Sequence, residues 1–239
     1  MVLQVIKLGL IADPFKLTDT IVRKLRGVKI FLKIPISGKQ IDKAIKIARY
    51  LEVDGILLPL SSLIKSNIIQ KISEIGNFRL VLKIDVKKVT NELKLYINTI
   101  TQIHEIIPLI EVGKTLNTLS LLELPKITTI IIDYRALQTN QEYVTARKIL
   151  NKVIYLRDYV LSLVRSRNVT IGSIVTKMPY QSFEIVRELV QLSTLFIVTK
   201  VEDALVLQSI LEKFTTSQFY DYITKMFVPE EANIEVTIE

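Results

Sequence analysis

Two apolar runs of this chain carry charged residues at alternate positions. In FRLVLKIDV at 78–86, Arg79, Val81, Lys83 and Asp85 alternate with Leu80, Leu82, Ile84 and Val86. In VKIFLKIPI at 28–36, Lys29 and Lys33 oppose Val28, Ile30, Leu32 and Ile34. A β-strand turns successive side chains to opposite faces, so each run has one polar and one apolar face. If helices cover the apolar face, the lysines point the other way, where a desolvated ammonium with a lowered pKa is a candidate Schiff-base nucleophile. The competing reading is an interior ion-pair layer in which Lys33, Lys83, Asp85 and Asp133 neutralise one another. The ion-pair layer is favoured, because the sequence supplies no base, metal triad or phosphate loop to support catalysis.

A second concentration of chemistry lies at 133–152 and 157–168. Arg135, Arg147, Lys148, Lys152, Arg157, Arg165 and Arg167 are interleaved there with Tyr134, Tyr143, Tyr155 and Tyr159. Cationic side chains neutralise backbone phosphates and tyrosine rings stack on unpaired bases. The expected nucleic-acid contacts are therefore Arg135, Arg147, Lys148, Arg157, Arg165 and Arg167, joined by Lys177 after the seventh apolar run. The plainer alternative is an amphipathic helix with a solvated charged face.

The residue inventory removes several classes of function. With no cysteine, thiolate metal sites, disulfides and cysteine nucleophiles are excluded, and the lone His104 cannot build a histidine metal cluster. His104 is expected to cap a helix C-terminus, which favours its charged form. The string nearest a nucleotide loop, PLSSLIKS at 59–66, keeps Lys65 and Ser66 but lacks the glycines that let backbone amides cradle phosphate. The loops KMPYQ at 177–181 and KVEDA at 200–204 also lack glycine. No cofactor and no metal are expected. Thirty-two Lys and Arg against 24 Asp and Glu leave a net charge of +8, which fits a polyanionic partner or a solvated lysine-rich surface. No apolar run reaches the length of a membrane span, and a cytoplasmic protein is expected.

These residues need elements to hold them, and the hydropathy pattern supplies a rhythm. Eight β-branched apolar runs begin near residues 3, 28, 54, 78, 106, 127, 169 and 194, most followed by a helix-length amphipathic stretch. That alternation predicts a (β/α)8 barrel of the TIM type, a fold that 239 residues suit. The longest helix is expected over about 142–167. Barrel chemistry sits at the C-terminal ends of the strands, which directs attention to Asp13, Lys33, Ser37, Ser61, Lys83, Asp85, Glu111, Asp133, Arg135, Lys177 and Lys200. One barrel domain is expected over 1–214. Residues 215–239 read as a C-terminal extension of two strands, or a helix and a strand, packed across an end or paired with a partner.

The element order resembles protein component 3 of archaeal ribonuclease P, related to the thirty-kilodalton subunit of the eukaryotic enzyme. The similarity is carried by VKIFLKIPI at 28–36, GILLPLS at 55–61, SLIKSNIIQKISEIGNFRLVLKID at 62–85 and the sixth run ending in Arg135 before RALQTNQEYVTARKIL at 135–150. It extends through PYQSFEIVREL at 179–189 and DALVLQSILEKF at 203–214, whereas SIVTK at 173–177 replaces the family's Ser-Ser-Ala string. The resemblance implies a non-catalytic barrel that assists removal of 5′ leaders from precursor tRNA. Its implied partners are ribonuclease P RNA, precursor tRNA and a small RNA-binding protein subunit.

A second resemblance is to RecA-like or KaiC-like recombinase paralogs with a degenerate ATP site. It rests on SGKQID at 37–42, the eroded PLSSLIKS, TTIIIDY at 128–134 in the place of a Walker B strand, and the tail at 222–239. It implies an open RecA-like α/β sheet and a DNA-binding or scaffold role.

Overall fold

The computed structural model describes residues 5–35, 40–64, 68, 70–71, 78–85, 90–111, 127–133, 158–162, 164–166, 169–174 and 190–227, the last four of these by backbone alone. Eight parallel strands close into a barrel in sequence order. They are β1 (Lys7–Ala12), β2 (Lys29–Lys33), β3 (Gly55–Pro59), β4 (Arg79–Lys83), β5 (Ile106–Glu111), β6 (Thr129–Asp133), β7 (Thr170–Ile174) and β8 (Ser193–Val198). β1 pairs with β2 through Gly9↔Lys29 and with β8 through Lys7↔Leu195, so the sheet has no free edge. This closure is the (β/α)8 architecture expected from the eight runs, and it replaces the open RecA-like sheet as the fold.

Both faces of every strand are covered, which is why the strands read as nearly continuous apolar runs. An outer layer that includes Leu8, Leu10, Ile30, Leu32, Ile56, Leu58, Leu80 and Leu82 meets the helices. An inner layer of Ile11, Phe31, Leu57, Val81, Ile107, Leu109, Ile131, Ile174, Leu195 and Ile197 fills the barrel. The two sets alternate along the strands, as a period of two requires. Phe31 needs room that only small residues leave. A Cβ on Gly55 would lie 2.6 Å from the Arg79 carbonyl oxygen and 3.0 Å from Phe31 Cδ1, so glycine lets β3, β4 and the ring approach.

The helices follow local rules. α1 (Asp19–Lys24) is capped by Thr18, whose hydroxyl accepts from the Ile21 amide. α2 (Gln40–Tyr50) buries Ile41, Ala44 and Ala48, and α3 (Asn91–Thr101) buries Leu93, Ile97 and Ile100, each set at helical spacing. Thr90 caps α3 by accepting from the Leu93 amide at 3.2 Å. α4 (Val201–Lys213) places Glu202 and Asp203 in its first turn, where the helix dipole favours acids. Residues 158–162 and 164–166 are helical, within the long helix expected there; its remaining residues lie outside the described set. Among the described residues no helix is long and apolar enough to cross a membrane.

The segment after Phe214 contains α5 (Thr216–Phe227). Thr215 and Gln218 form a reciprocal capping box: the Gln218 carboxamide accepts from the Thr215 amide at 2.9 Å, and the Thr215 hydroxyl accepts from the Gln218 amide at 3.4 Å. Phe219 and Ile223 are fully buried in the outer core. Phe219 and Tyr220 meet Phe196 edge-on at 5.5 and 5.7 Å, and the Tyr220 hydroxyl donates to the Ser193 carbonyl at 2.6 Å. The helix thus lies on β8, within the helical coat; the strand expected in the rest of the extension falls at 228–239, outside the described residues.

A polar network occupies the N-terminal ends of the strands. Arg79 Nε donates to Glu105 Oε2 at 2.8 Å and the Thr128 hydroxyl donates to Glu105 Oε1 at 2.9 Å. Burial alone would raise the Glu105 pKa, but the hydrogen bonds from Arg79 and Thr128 outweigh it and hold the carboxyl below its usual range. Lys29 is lowered, first by burial and then by the Arg79 and Lys7 cations, which together outweigh Asp54 and Glu105. The unfolded chain therefore keeps the Lys29 proton to higher pH than the folded one. The charged side chain costs stability at neutral pH, and that cost disappears as pH rises through the folded value toward 10.5. Lys29→Met is expected to raise Tm at pH 7 by about 1–2 °C after allowance for solvent screening, with the gain shrinking near pH 10. Thermal unfolding followed by circular dichroism at both pH values checks this; a lower Tm at pH 7 contradicts it.

His104 stands at a helix C-terminus, as expected. Its backbone amide donates to the Ile100 carbonyl at 2.8 Å and so terminates α3, but the ring is buried. Nδ1 lies 3.1 Å from the Phe78 carbonyl oxygen, an acceptor only, so Nδ1 carries the proton and donates. The side chain therefore also ties the end of α3 to the entry of β4.

Candidate functional site

At the C-terminal ends of the strands the inner face changes from apolar to charged one step above the last core layer. Lys33, Pro59, Lys83, Glu111 and Asp133 each follow an inner-core residue by two positions: Phe31, Leu57, Val81, Leu109 and Ile131. The strand period therefore carries them to the same side, at the barrel mouth. Lys83 Nζ lies 2.6 Å from Glu111 Oε1, with the Lys83 side chain 35% exposed and that of Glu111 11%. Asp133 is 1% exposed and stands opposite Glu111 in the β5–β6 register. Lys33 is exposed and makes no ion pair among the described residues.

The mouth is electrically divided. Cations project from β2 and β4, carboxylates from β5 and β6, and the Lys83–Glu111 pair joins the two halves. A cavity of about 230 Å³ opens on the cationic side, lined by Lys33, Ile34, Pro35, Leu57, Pro59 and Lys83. Its surface is almost wholly apolar, so the two lysines line it with their methylene stems rather than their ammonium groups.

Of the four residues of the expected ion-pair layer, Lys83 is the one shown in an ion pair among the described residues, and its partner is Glu111. Asp85, one residue pair further along, turns to the β3 loop. There it accepts from the Ser61 amide at 2.9 Å and from the Ser61 hydroxyl at 2.5 Å. These bonds tie the 3₁₀ turn Leu60–Ile64 to the end of β4. The Schiff-base reading finds its lysines on the predicted face, but Lys83 is engaged by a carboxylate at hydrogen-bond distance. Asp13 accepts from the Phe15 amide at 2.9 Å and caps the 3₁₀ turn Pro14–Lys16, a local structural role. Lys200 is the N-cap residue of α4 and makes no side-chain cap bond. Glu111 stood among the strand-end residues but outside the expected ion-pair layer. The alternation Ile107, Leu109, Glu111 marks it as a member, since it continues the inner face of β5.

Of the expected nucleic-acid contacts, Arg165 is exposed on the helical residues 164–166. Arg135, Arg147, Lys148, Arg157, Arg167 and Lys177 lie outside the described residues. Tyr159, one of the rings expected to stack on bases, is half-buried and packs against the outer core, so it contributes to folding.

No protein-family model matches the chain, and no curated protein matches it. Solved structures similar to it include the HpcH/HpaI aldolase from Desulfitobacterium hafniense DCB-2, at 11% identity and a TM-score of 0.49, covering 88% of this chain and 91% of that one. A mutant tryptophan synthase alpha-subunit from Pyrococcus furiosus has 12% identity and a TM-score of 0.48, covering 92% and 95%. Tryptophan synthase from M. tuberculosis has 9% identity and a TM-score of 0.46, covering 93% and 91%. The strand pairing itself establishes the barrel, and none of these likenesses carries a residue or a function to this chain.

Proposed function

We propose that this chain is a non-catalytic RNA-binding β/α barrel, an accessory protein subunit of ribonuclease P that assists 5′ maturation of precursor tRNA. The observation that carries the reading is a formal net charge of +8 on a closed barrel whose element order is the one the family resemblance requires. An excess of cations favours a polyanion through counterion release, without demanding a catalytic group. Engagement of Lys83 by Glu111 also favours binding over lysine catalysis. The small RNA-binding subunit implied by the resemblance is the expected protein partner.

The test is a salt titration of full-length protein against a precursor tRNA transcript. Binding is expected to weaken linearly with the logarithm of salt concentration. The double reversal Arg147→Glu/Lys148→Glu, and separately Arg165→Glu, should lower affinity and reduce the slope by about one for each phosphate no longer neutralised. Slopes unchanged by all three substitutions, or equal affinity for duplex DNA of matched length, would remove the ribonucleoprotein assignment.

A further inference from the structure

We propose that the N-terminal end of the barrel around β1 and β2 is a surface that takes the phosphate backbone of RNA, with Lys7, Lys24, Arg26 and Lys29 as its contacts. The proposal rests on the RNA reading above and names residues outside the contacts expected from the sequence.

The fold brings these cations together. Lys24 ends α1, Arg26 stands in the turn that follows, and Lys29 opens β2. Lys7 opens β1, which pairs with β2 through Gly9↔Lys29. Lys7, Lys29 and Arg79 precede the inner-core residues Ile11, Phe31 and Val81 by an even number of positions, so all three belong to the side of the strands that faces the barrel floor. Between β2 and β4, β3 contributes Gly55 to that side and so no side chain. The turn itself is fixed in advance. Leu25 and Val28 are buried, Gly27 reverses the chain at φ 87°, and Gln208 Nε2 on α4 donates to the Arg26 carbonyl at 3.0 Å. A preformed turn lowers the ordering cost of binding.

The cluster lacks its own counterions. Lys7, Lys24 and Arg26 are exposed, Lys29 is half-buried, and none of the four forms an ion pair among the described residues. Arg23 is excluded because Asp19 holds it at 2.7 Å. Of the acids at this end, Asp54 accepts from the Ile30 amide at 2.8 Å and Glu105 from Arg79 and Thr128, while Glu52 and Glu212 stand exposed after α2 and near the end of α4. Burial, then the Arg79 and Lys7 cations, lower the Lys29 pKa, so the fold keeps this ammonium at a cost in stability. A phosphate set among the cations offsets their repulsion. Lys29 is recessed while the other three stand at the rim, so a protruding backbone phosphate reaches all four, whereas a flat bilayer meets the rim alone. The opposite end carries Glu111 and Asp133, which disfavour a polyanion there.

The test is a salt titration of full-length protein against a precursor tRNA transcript. Lys24→Glu/Arg26→Glu is expected to weaken binding about tenfold and to lower the salt slope by about two. Lys16→Glu/Lys94→Glu makes the same charge change on exposed residues after β1 and in the first turn of α3, at the opposite end, and should leave the slope unchanged. Lys24→Gln/Arg26→Gln, which only removes charge, should move the slope in the same direction as the reversal, with circular dichroism confirming that each variant is folded. Lys29→Met should raise Tm at pH 7 and still weaken RNA binding, a split that a purely structural lysine does not give. The surface is overturned, and the RNA reading kept, if the two double reversals act alike or if binding responds to Arg147→Glu/Lys148→Glu and not to Lys24→Glu/Arg26→Glu. It is also overturned if Lys24→Glu/Arg26→Glu abolishes binding to phosphatidylserine vesicles while affinity for precursor tRNA is unchanged, because the cations then serve a membrane. Absence of any precursor tRNA binding by the unaltered protein removes the RNA reading and this surface with it.

Discussion

Phe31→Ala is expected to destabilise the barrel by about 3–5 kcal/mol, the range for removing a fully buried aromatic ring. Phe31 has no exposed surface and belongs to the inner layer. Its ring lies where two neighbouring strands supply no side chain. A Cβ on Gly9 would stand 3.4 Å from its Cε2, and one on Gly55 3.0 Å from its Cδ1. Truncation therefore opens a space that those glycines cannot fill, and the surrounding strands are held in register on both sides, so collapse is limited. Urea unfolding should show a lower midpoint with an unchanged slope. Phe31→Leu, which keeps much of the volume, should cost about 1–1.5 kcal/mol. A loss below about 1 kcal/mol for Phe31→Ala would mean that the ring does not fill the interior, since the transfer term alone is larger.

The Lys83–Glu111 pair gives the second large effect. Lys83→Met is expected to cost about 3 kcal/mol, because it removes the ammonium held 2.6 Å from the mostly buried Glu111 carboxylate. Glu111→Gln should cost less, since the amide keeps an acceptor for the more exposed Lys83 ammonium. Lys83→Met/Glu111→Leu should recover most of the loss, because a well-packed apolar pair replaces a desolvated ionic one at little net cost. A double-mutant cycle measured by unfolding should return a coupling of about 1–3 kcal/mol. Additive single and double losses would contradict a direct contact.

The legibility of this molecule differs between its backbone and its mouth. Eight apolar runs appear as eight strands within a few residues of their expected limits, because a strand buried on both faces must be apolar throughout its length. The amphipathic spacing of Ile41, Ala44 and Ala48 likewise shows the buried face of α2, and the alternation of Arg79, Val81 and Lys83 shows the inward face of β4. α5 was harder to read. Its burial depends on Phe219 meeting Phe196, an aromatic contact across 23 positions that no local pattern encodes.

What the sequence determined by itself is the barrel, its two-sided strands, the positive net charge and the set of charged residues carried to the strand ends, because periodicity and composition are local or global sums that need no partner. The tertiary structure decided which of those charges meet. Lys83 takes Glu111 and Asp85 takes Ser61, while Lys33 faces a cavity and His104 turns inward to a carbonyl at the entry of β4. Pairing at the mouth depends on the stagger between neighbouring strands and on ångström-scale side-chain reach. Several acids satisfy the same alternation, and only the closed register selects among them.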